Sequence, residues 1–396
     1  MSQDDVLVVG AGLAGLVIAG AWAHRGGHAT VLDASASVGA SSAGGGLQIA
    51  PPTVAVLRRL GVDLDAAGAV VVHAQETRAS DGRLLGRAPL HACEQRYGTP
   101  YVTVRRADVH AALLARVASV ADVRPGTAVT SVHETHEPVV TLADGRTLHP
   151  GTLVGADGIR SVVRAALGPD RPLYSGLWAH RALVPLAGLP AHLAAPVVRL
   201  WVGPGAHVVA YPVAGGRELN LVVVVPGEDD DPTAPAWTAA TDPEPLRRRL
   251  ADWPDDVRAV LDAVEMLRGH AVHDRAPLEH LTSGRVALVG DAAHPMAPFL
   301  AQGANQAVEG AVELAAALAA ADRPAALTAY ERRRASRAGH LQQGSRRSVA
   351  LLHLPAGPER DARDRAWAAE TGLAHRDRLY GYPVATLLGN ALASSA

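Results

Sequence analysis

Residues 6–33 read VLVVGAGLAGLVIAGAWAHRGGHATVLD. VLVV is a continuous apolar run, as in a strand buried on both faces. LAGLVIAGAWA has a helical period, and HATVL returns to a strand. Gly10, Gly12 and Gly15 stand between the first strand and the helix in G-x-G-x-x-G order. The first glycine permits a tight turn, the second lets backbone approach a pyrophosphate, and the third allows close packing of helix on strand. Leu13 and Ala14 begin the helix, whose N-terminal amides and dipole favour phosphate. Asp33 ends the second strand, at the distance where an acid grips ribose hydroxyls. A glycine turn serving only packing would not need that acid. The stretch predicts a dinucleotide site and leaves FAD and NAD undecided.

Outward from this unit, PTVAVLRRLG reads as a short helix with Gly61 just past its end, and RADVHAALLARVAS as an amphipathic one. Strands fill 122–155, with ADGRT as a hairpin turn. From 173 to 226, LVPL, PVVRLWV, HVVAYPV and LNLVVVV are strands separated by Gly/Pro clusters, the pattern of an antiparallel sheet. A helix pair over 243–264 precedes the buried strand in GRVALVGD, and 303–352 is helical with a break near Arg323–Pro324. The predicted fold class is α/β: a Rossmann-like nucleotide domain interrupted by an antiparallel-sheet substrate domain, with a C-terminal helical segment. The expected boundaries are 1–75, 103–171 and 268–352 for the nucleotide domain, 76–102 and 172–267 for the substrate domain, and 353–396 for the tail.

The chain has 396 residues, 48% apolar and 19% charged, and a net charge of −2. A large core is expected, and no basic block marks a nucleic-acid footprint. All 37 basic residues are Arg, which excludes a lysine Schiff base or a phosphate-loop lysine. Cys93 is the only cysteine, so no disulfide framework or Cys-rich metal site is expected. MSQDD runs into a strand without a leader, and no apolar run is long enough to span a membrane. These features predict a cytoplasmic protein without a metal or membrane partner.

The strand–glycine–aspartate arrangement recurs twice. LVGADGIRSVVRAALG (153–168) carries Asp157 and Gly158; LVGDAAHPMAPFLAQGANQAVEGAVEL (288–314) carries Gly290 and Asp291. An Asp before a helix often serves only as a cap. Two of them, together with the first glycine signature, suit one extended ligand better.

With GxGxxG at 10–15, GADGIRS at 155–161, GDAAHP at 290–295 and RADVH at 106–110, nearly the whole chain resembles the single-component, class A FAD monooxygenases, the aromatic hydroxylases. The resemblance implies FAD as cofactor, NADH or NADPH as electron donor, and O2 as co-substrate. It implies oxygen transfer to an aromatic, phenolic or N-heterocyclic small molecule through a flavin C4a-hydroperoxide. Asp33 would then hold the adenosine ribose, Val129 flank adenine, and Arg106 serve the flavin side. Asp157 would sit near the pyrophosphate and Asp291 on the ribityl chain. Gly303, Ala304 and Asn305 open a helix whose amides would steady the electron-rich reduced ring by roughly 0.3–2 kcal/mol. His294 reads as a structural histidine more readily than as an acid or base. A homodimer is compatible with the resemblance.

For the substrate, His207, Val209 and Tyr211 share one strand face by alternation. His207 and Tyr211 stand roughly 13 Å apart along that strand, able to line one pocket. A hydroxynicotinate-hydroxylating member of the family resembles this chain in carrying a substrate-facing His and Tyr at that spacing. The resemblance makes His207 and Tyr211 the catalytic candidates, as hydrogen-bond partners or base. Gln48, Val198 and Phe299 stand where that member carries His, Cys and His, which points to a different ring. Pro298 and Phe299 would form pocket wall. Arg181 could meet a substrate carboxylate, and neighbouring His180 replaces the usual Trp. Salicylate, another hydroxybenzoate, an N-heterocycle and a polyketide-like antibiotic all fit. An FAD oxidoreductase without oxygen insertion and a non-catalytic flavoprotein scaffold are the competing classes.

Overall fold

The computed structural model describes residues 6–39, 45–168, 170–228 and 239–388. The middle of the glycine-rich loop (40–44) and the end of the tail (389–396) lie outside the described residues.

Val6–Val9 stands inside a six-stranded sheet ordered Thr282–Ser283, Val286–Leu288, Thr152–Gly155, Val6–Val9, Ala29–Leu32, Asp122–Arg124. All neighbours run parallel except the edge strand Thr282–Ser283. Both faces are covered, which is why the inner strands are apolar at every position. Leu16, Val17 and Ile18 of helix Leu13–Ala23 join Val308, Ala311 and Val312 of helix Gly303–Leu318 in one core. A small antiparallel sheet (Val129–His133, Val139–Leu142, Thr147–Leu148) is inserted before Thr152–Gly155.

The second sheet has eight strands, ordered Ala239–Thr241, Leu267–Asp274, Leu173–Pro185, Glu218–Pro226, Ala206–Val213, Val197–Gly203, Ala74–Ala79, Leu84–Ala88. It is antiparallel apart from one pair: Ala74–Ala79 enters by a crossover from the nucleotide domain and runs parallel to Val197–Gly203. Leu267–Asp274 pairs with Leu173–Pro185 and belongs to this sheet. The expected nucleotide-domain segment beginning at 268 therefore opens with a strand of the other domain. Its mixed composition, LRGHAVHD, suits a sheet with one face open to a cavity better than a doubly buried parallel strand. On the far face, Trp201, Val208 and Leu221 pack against Val257, Val260 and Leu261 of helix Asp255–Asp262. The near face looks toward the nucleotide domain.

A third sheet, Gly46–Ile49, Val102–Arg105 and Val70–Val71, joins the two bodies. Gly46 N–H donates to Asn220 Oδ1 (2.6 Å) and Thr103 Oγ1 to the Pro212 carbonyl (2.6 Å). The helical break near Arg323–Pro324 has a local cause. Asp322 accepts from Ala325 N–H (3.1 Å) and caps helix Arg323–Leu352, and Pro324 in its first turn needs no donor.

The C-terminal segment is packed onto the body. After helix Pro358–Ala369, Leu373 and Tyr380 enter a cluster around Cys93, Tyr101 and Tyr211. Val384 and Leu388 enter the nucleotide core. Tyr382 donates to Glu313 (2.7 Å), and Asp377 binds Arg96 (2.6 Å) and the Tyr97 hydroxyl (2.7 Å). Among the described residues, no helix is long and apolar enough to cross a membrane.

Candidate active site

The two bodies and the C-terminal segment enclose a cavity of about 680 Å³. Gly12, Leu13 and Ala14 line one end of it. Gly10 (φ +101°) and Gly15 lie behind: a Cβ on Gly10 would stand 2.4 Å from the Ala156 oxygen, and one on Gly15 1.8 Å from the Gly10 oxygen. A Cβ on Gly12 would meet nothing within 4 Å. Two glycines thus serve backbone packing, and the middle one keeps an approach clear. Asp33 accepts from the backbone amides of Ala11 and Ser35, both at 2.8 Å, which fixes its carboxylate beside the turn. Val129 packs against the nucleotide core and is not part of the cavity wall.

Asp157 is committed to its own chain. It accepts from the Ser161 hydroxyl and from the amides of Val162 (2.7 Å) and Val163 (3.3 Å), the first two of helix Val162–Ala165, whose N-cap is Ser161. Burial raises its carboxyl, and these bonds pull it back. Its neighbours Ala156 and Gly158 line the cavity. Arg164 is buried behind this loop, donates to the carbonyls of Ala292 and Ala293 (3.0 Å each), and pairs with Asp170 at 2.6 Å. One guanidinium therefore ties the loop at 155–161 to the loop at 290–295.

Asp291 opens into the cavity with Arg106. Burial raises the Asp291 carboxyl, and Arg106 lowers it; burial lowers the Arg106 guanidinium, and Asp291 raises it. Neighbouring Arg105 turns the other way, to Asp108 (3.0 Å) and Glu218 (3.2 Å). Pro298, Phe299, Gly303 and Ala304 continue the wall, so helix Gly303–Leu318 aims its first turn at the cavity. Ala301 holds φ +51°, uncommon for a residue with a Cβ, and swings the chain into that helix. Asn305 turns its side chain from the cavity, accepting from Ala50 N–H (2.9 Å) and donating to the carbonyls of Gln48 (3.2 Å) and Ala301 (2.9 Å). His294 lies behind the loop, 2% exposed. Its ring nitrogens make no hydrogen bond among the described residues, and burial beside Arg334 pushes it down to about 3.

The opposite wall is the large sheet. His207, Val209 and Tyr211 all face the cavity, with Gln48 and Arg181 at its edge. His207 meets Phe299 edge-on, ring centroids 5.5 Å apart, and its Nδ1 lies 2.8 Å from His353 Nε2. Burial, then His353, holds His207 down at about 3; burial, then Arg249, holds His353 at about 4. The Tyr211 hydroxyl makes no hydrogen bond among the described residues and is open to the cavity. Burial raises it. Gln48 accepts from the Tyr101 hydroxyl (2.9 Å). Burial lowers Arg181 to about 10, with Tyr211 raising and Arg106 lowering it further.

Several wall residues carry no motif in the sequence. Gln75, Tyr101 and His270 come from three different strands or loops. His353, Arg376 and Tyr380 come from the segment expected to be a tail. One signal was available there: Arg376 and Tyr380 are four apart, one helical turn, beside Leu373.

The family described as "FAD binding domain" matches residues 3–345. A 3-amino-4-hydroxybenzoate 2-monooxygenase of Streptomyces platensis is 39% identical over 393 residues, covering 97% of each chain. A 3-hydroxybenzoate 6-hydroxylase of Polaromonas naphthalenivorans is 33% identical, covering 98% of this chain and 97% of its own. A substrate complex of salicylate hydroxylase superposes with a TM-score of 0.79 at 27% identity, covering 99% of this chain and all (100%) of the other. With the glycine turn, the paired loops and the cavity between two sheets, these matches identify the chain as a member of the FAD-dependent aromatic hydroxylase family.

Proposed function

We propose that this chain hydroxylates a phenolic aromatic ring of the hydroxybenzoate class, with NADH or NADPH as electron donor and O2 as the oxygen source. The observation that carries the reading is the shared cavity. The loop holding Asp291 and the first turn of helix Gly303–Leu318 form one wall, and the strand face of His207, Val209 and Tyr211 forms the other.

The residues fit FAD. Gly12 leaves open space where a pyrophosphate would approach, and Asp33 is held beside it. Asp291 faces the cavity with Arg106. Gly10, Gly12, Leu13, Ala14, Gly15 and Asp33 would hold the adenosine and phosphate part. The backbone at 156–158 would flank it, with Asp157 shaping that loop through its bonds to Ser161, Val162 and Val163. Asp291, Arg106, Gly303 and Ala304 would hold the flavin part, and Asn305 would position the first turn of that helix. When bound, FAD would take two electrons from the nicotinamide and supply one oxygen atom of O2 to the ring, the other leaving as water.

The chain's own groups then orient the ring and exclude water. Val209, Pro298 and Phe299 supply apolar walls. Tyr211 offers a hydroxyl with no competing partner. His207 shares one hydrogen with His353 through Nδ1, which leaves Nε2 for a substrate hydroxyl. Held neutral at about 3, His207 serves as a hydrogen-bond partner and is a poor store for a proton.

The test is direct. FAD-loaded protein is given 3-amino-4-hydroxybenzoate, 3-hydroxybenzoate and salicylate with NADH or NADPH, and products are followed by mass. One of these acids is expected to stimulate nicotinamide oxidation and to gain one oxygen atom. Stimulated oxidation yielding only peroxide, with every acid unchanged, would favour an oxidoreductase without oxygen insertion.

A further inference from the structure

We propose that Arg376, supplied by the C-terminal segment, is the counter-charge for a carboxylate on the aromatic substrate. The inference rests on the hydroxylase reading above and names the substrate class as an aromatic acid.

Arg376 lines the cavity. Its Nη1 donates to Gln75 Oε1 and to the Tyr380 hydroxyl, both at 2.8 Å, and its Nε to His375 Nε2 at 3.1 Å. These partners are an amide, a phenol and an accepting imidazole, none of them an anion. Among the described residues Nη2 makes no hydrogen bond, and no carboxylate stands within ion-pair reach of the guanidinium. Glu370, also in the wall, places a carboxylate oxygen 3.5 Å from the same His375 nitrogen.

A guanidinium is always charged and presents its donors as a planar fork matched to a carboxylate. Taking it out of water without a counter-ion is costly. Elsewhere this chain supplies the anion. Arg164 meets Asp170 (2.6 Å), Arg334 meets Glu309 and Glu313 (3.4 Å each), and Arg363 meets Asp364 (2.6 Å). Buried Arg199 is satisfied by the carbonyls of His192 and Leu193. Arg376 differs in facing a ligand cavity while held rigidly by neutral groups, with part of its fork unused.

Its place in the sheet is also suitable. Val198 pairs with Gln75, and Arg199 with Ala210, so Gln75, Val198 and Tyr211 fall in one row across three strands. Gln75 and Tyr211 are then roughly 10 Å apart. A substituted benzoate with its carboxylate on Arg376 would lie across Val198, with its hydroxyl toward Tyr211.

The segment itself is pinned from outside the cavity. Asp377 accepts from Arg96 (2.6 Å) and from the Tyr97 hydroxyl (2.7 Å). Its docking can therefore be disturbed without touching the charge.

The experiment titrates FAD-loaded protein with benzoate and with benzamide, following the flavin absorption spectrum, in parallel with hydroxylation assays. Wild type is expected to prefer the anion on the order of tenfold to a hundredfold. Arg376→Gln is expected to bring the ratio close to one, with Arg376→Lys in between. Asp377→Asn and Arg181→Gln are expected to keep the wild-type ratio. If Arg376→Gln does not retain flavin, Arg376→Met and the wild-type ratio decide in the same way. A wild type indifferent to the charge overturns the proposal, as does a preference that survives in Arg376→Gln or is lost only in Arg181→Gln. Preference that follows Arg376 while no acid gains oxygen leaves the carboxylate site standing and removes the hydroxylase reading.

Discussion

Nδ1 of His207 and Nε2 of His353 lie 2.8 Å apart, although 146 residues separate them in the chain. The pair joins the substrate sheet to the end of the longest helix, and both rings are held neutral. A neutral His207 has a kinetic signature. Its own ionisation lies near 3, below the working range of the protein. The acid limb of the pH profile of kcat/KM should therefore fall at the same pH in wild type and in His207→Gln, with the variant lower throughout. A limb near pH 6.5 that disappears in His207→Gln would assign His207 as a titrating base.

Acid stability follows from the same depression. His207 and His294 both sit at about 3 in the folded chain, against an ordinary 6.5. Between these values the unfolded chain binds more protons, so stability is full above about pH 6.5 and is lost as pH falls toward 3. Each ring contributes up to about 1.4 kcal/mol per pH unit in that window. Urea midpoints measured from pH 7.5 to 4.5 should drop steadily, and more gently in His294→Leu.

Tyr211 offers a hydroxyl that makes no hydrogen bond among the described residues, Arg181 acting on it through charge alone. Tyr211→Phe should leave the melting temperature within a degree or so and lower kcat/KM by about tenfold, the worth of one hydrogen bond of about 1.4 kcal/mol. A fall in stability with unchanged kinetics would make Tyr211 a packing residue.

The glycines of the first turn should separate cleanly. Gly15→Ala places a Cβ 1.8 Å from a backbone oxygen and should cost about 3 kcal/mol or more, seen as a lower thermal midpoint. Gly12→Ala meets open space and should fold normally. Its effect should be weaker FAD retention, read from the flavin-to-protein absorbance ratio. Equal losses of stability in the two would contradict this division.

Asp291→Ala should weaken FAD by roughly tenfold to a hundredfold, the loss of a hydrogen bond to a charged acceptor. Equilibrium dialysis against free FAD measures it. Unchanged affinity would place the ribityl contact elsewhere.

The nucleotide half was legible because its constraints are local. The turn at Gly10–Gly15 and the strand ending in Asp33 are decided within 28 residues by backbone sterics and burial, and periodicity reports both. Asp291 and its helix were readable for the same reason. Asp157 was legible as a motif, but its side chain binds the first amides of a short helix, a choice set by the turn geometry of 157–163. Leu267–Asp274 was assigned to the wrong body because its partner, Leu173–Pro185, is remote in sequence. The strand face of His207 and Tyr211 followed from alternation. The residues that complete that wall did not. Gln75, Tyr101 and His353 converge only through tertiary packing and lie in no repeating pattern that could have announced them, and Arg376 had only its one-turn spacing to Tyr380.

The segment around Arg376 also bears on how such a catalyst could be re-specified. The two aspartate loops are tied together by Arg164 deep inside the nucleotide body. The stretch from Pro358 to Tyr380, which stops short of the residues that enter the nucleotide core, reaches the chamber from outside, through its own clasp at Asp377. Grafting that stretch from a relative would recut the keyhole while leaving the engine block untouched.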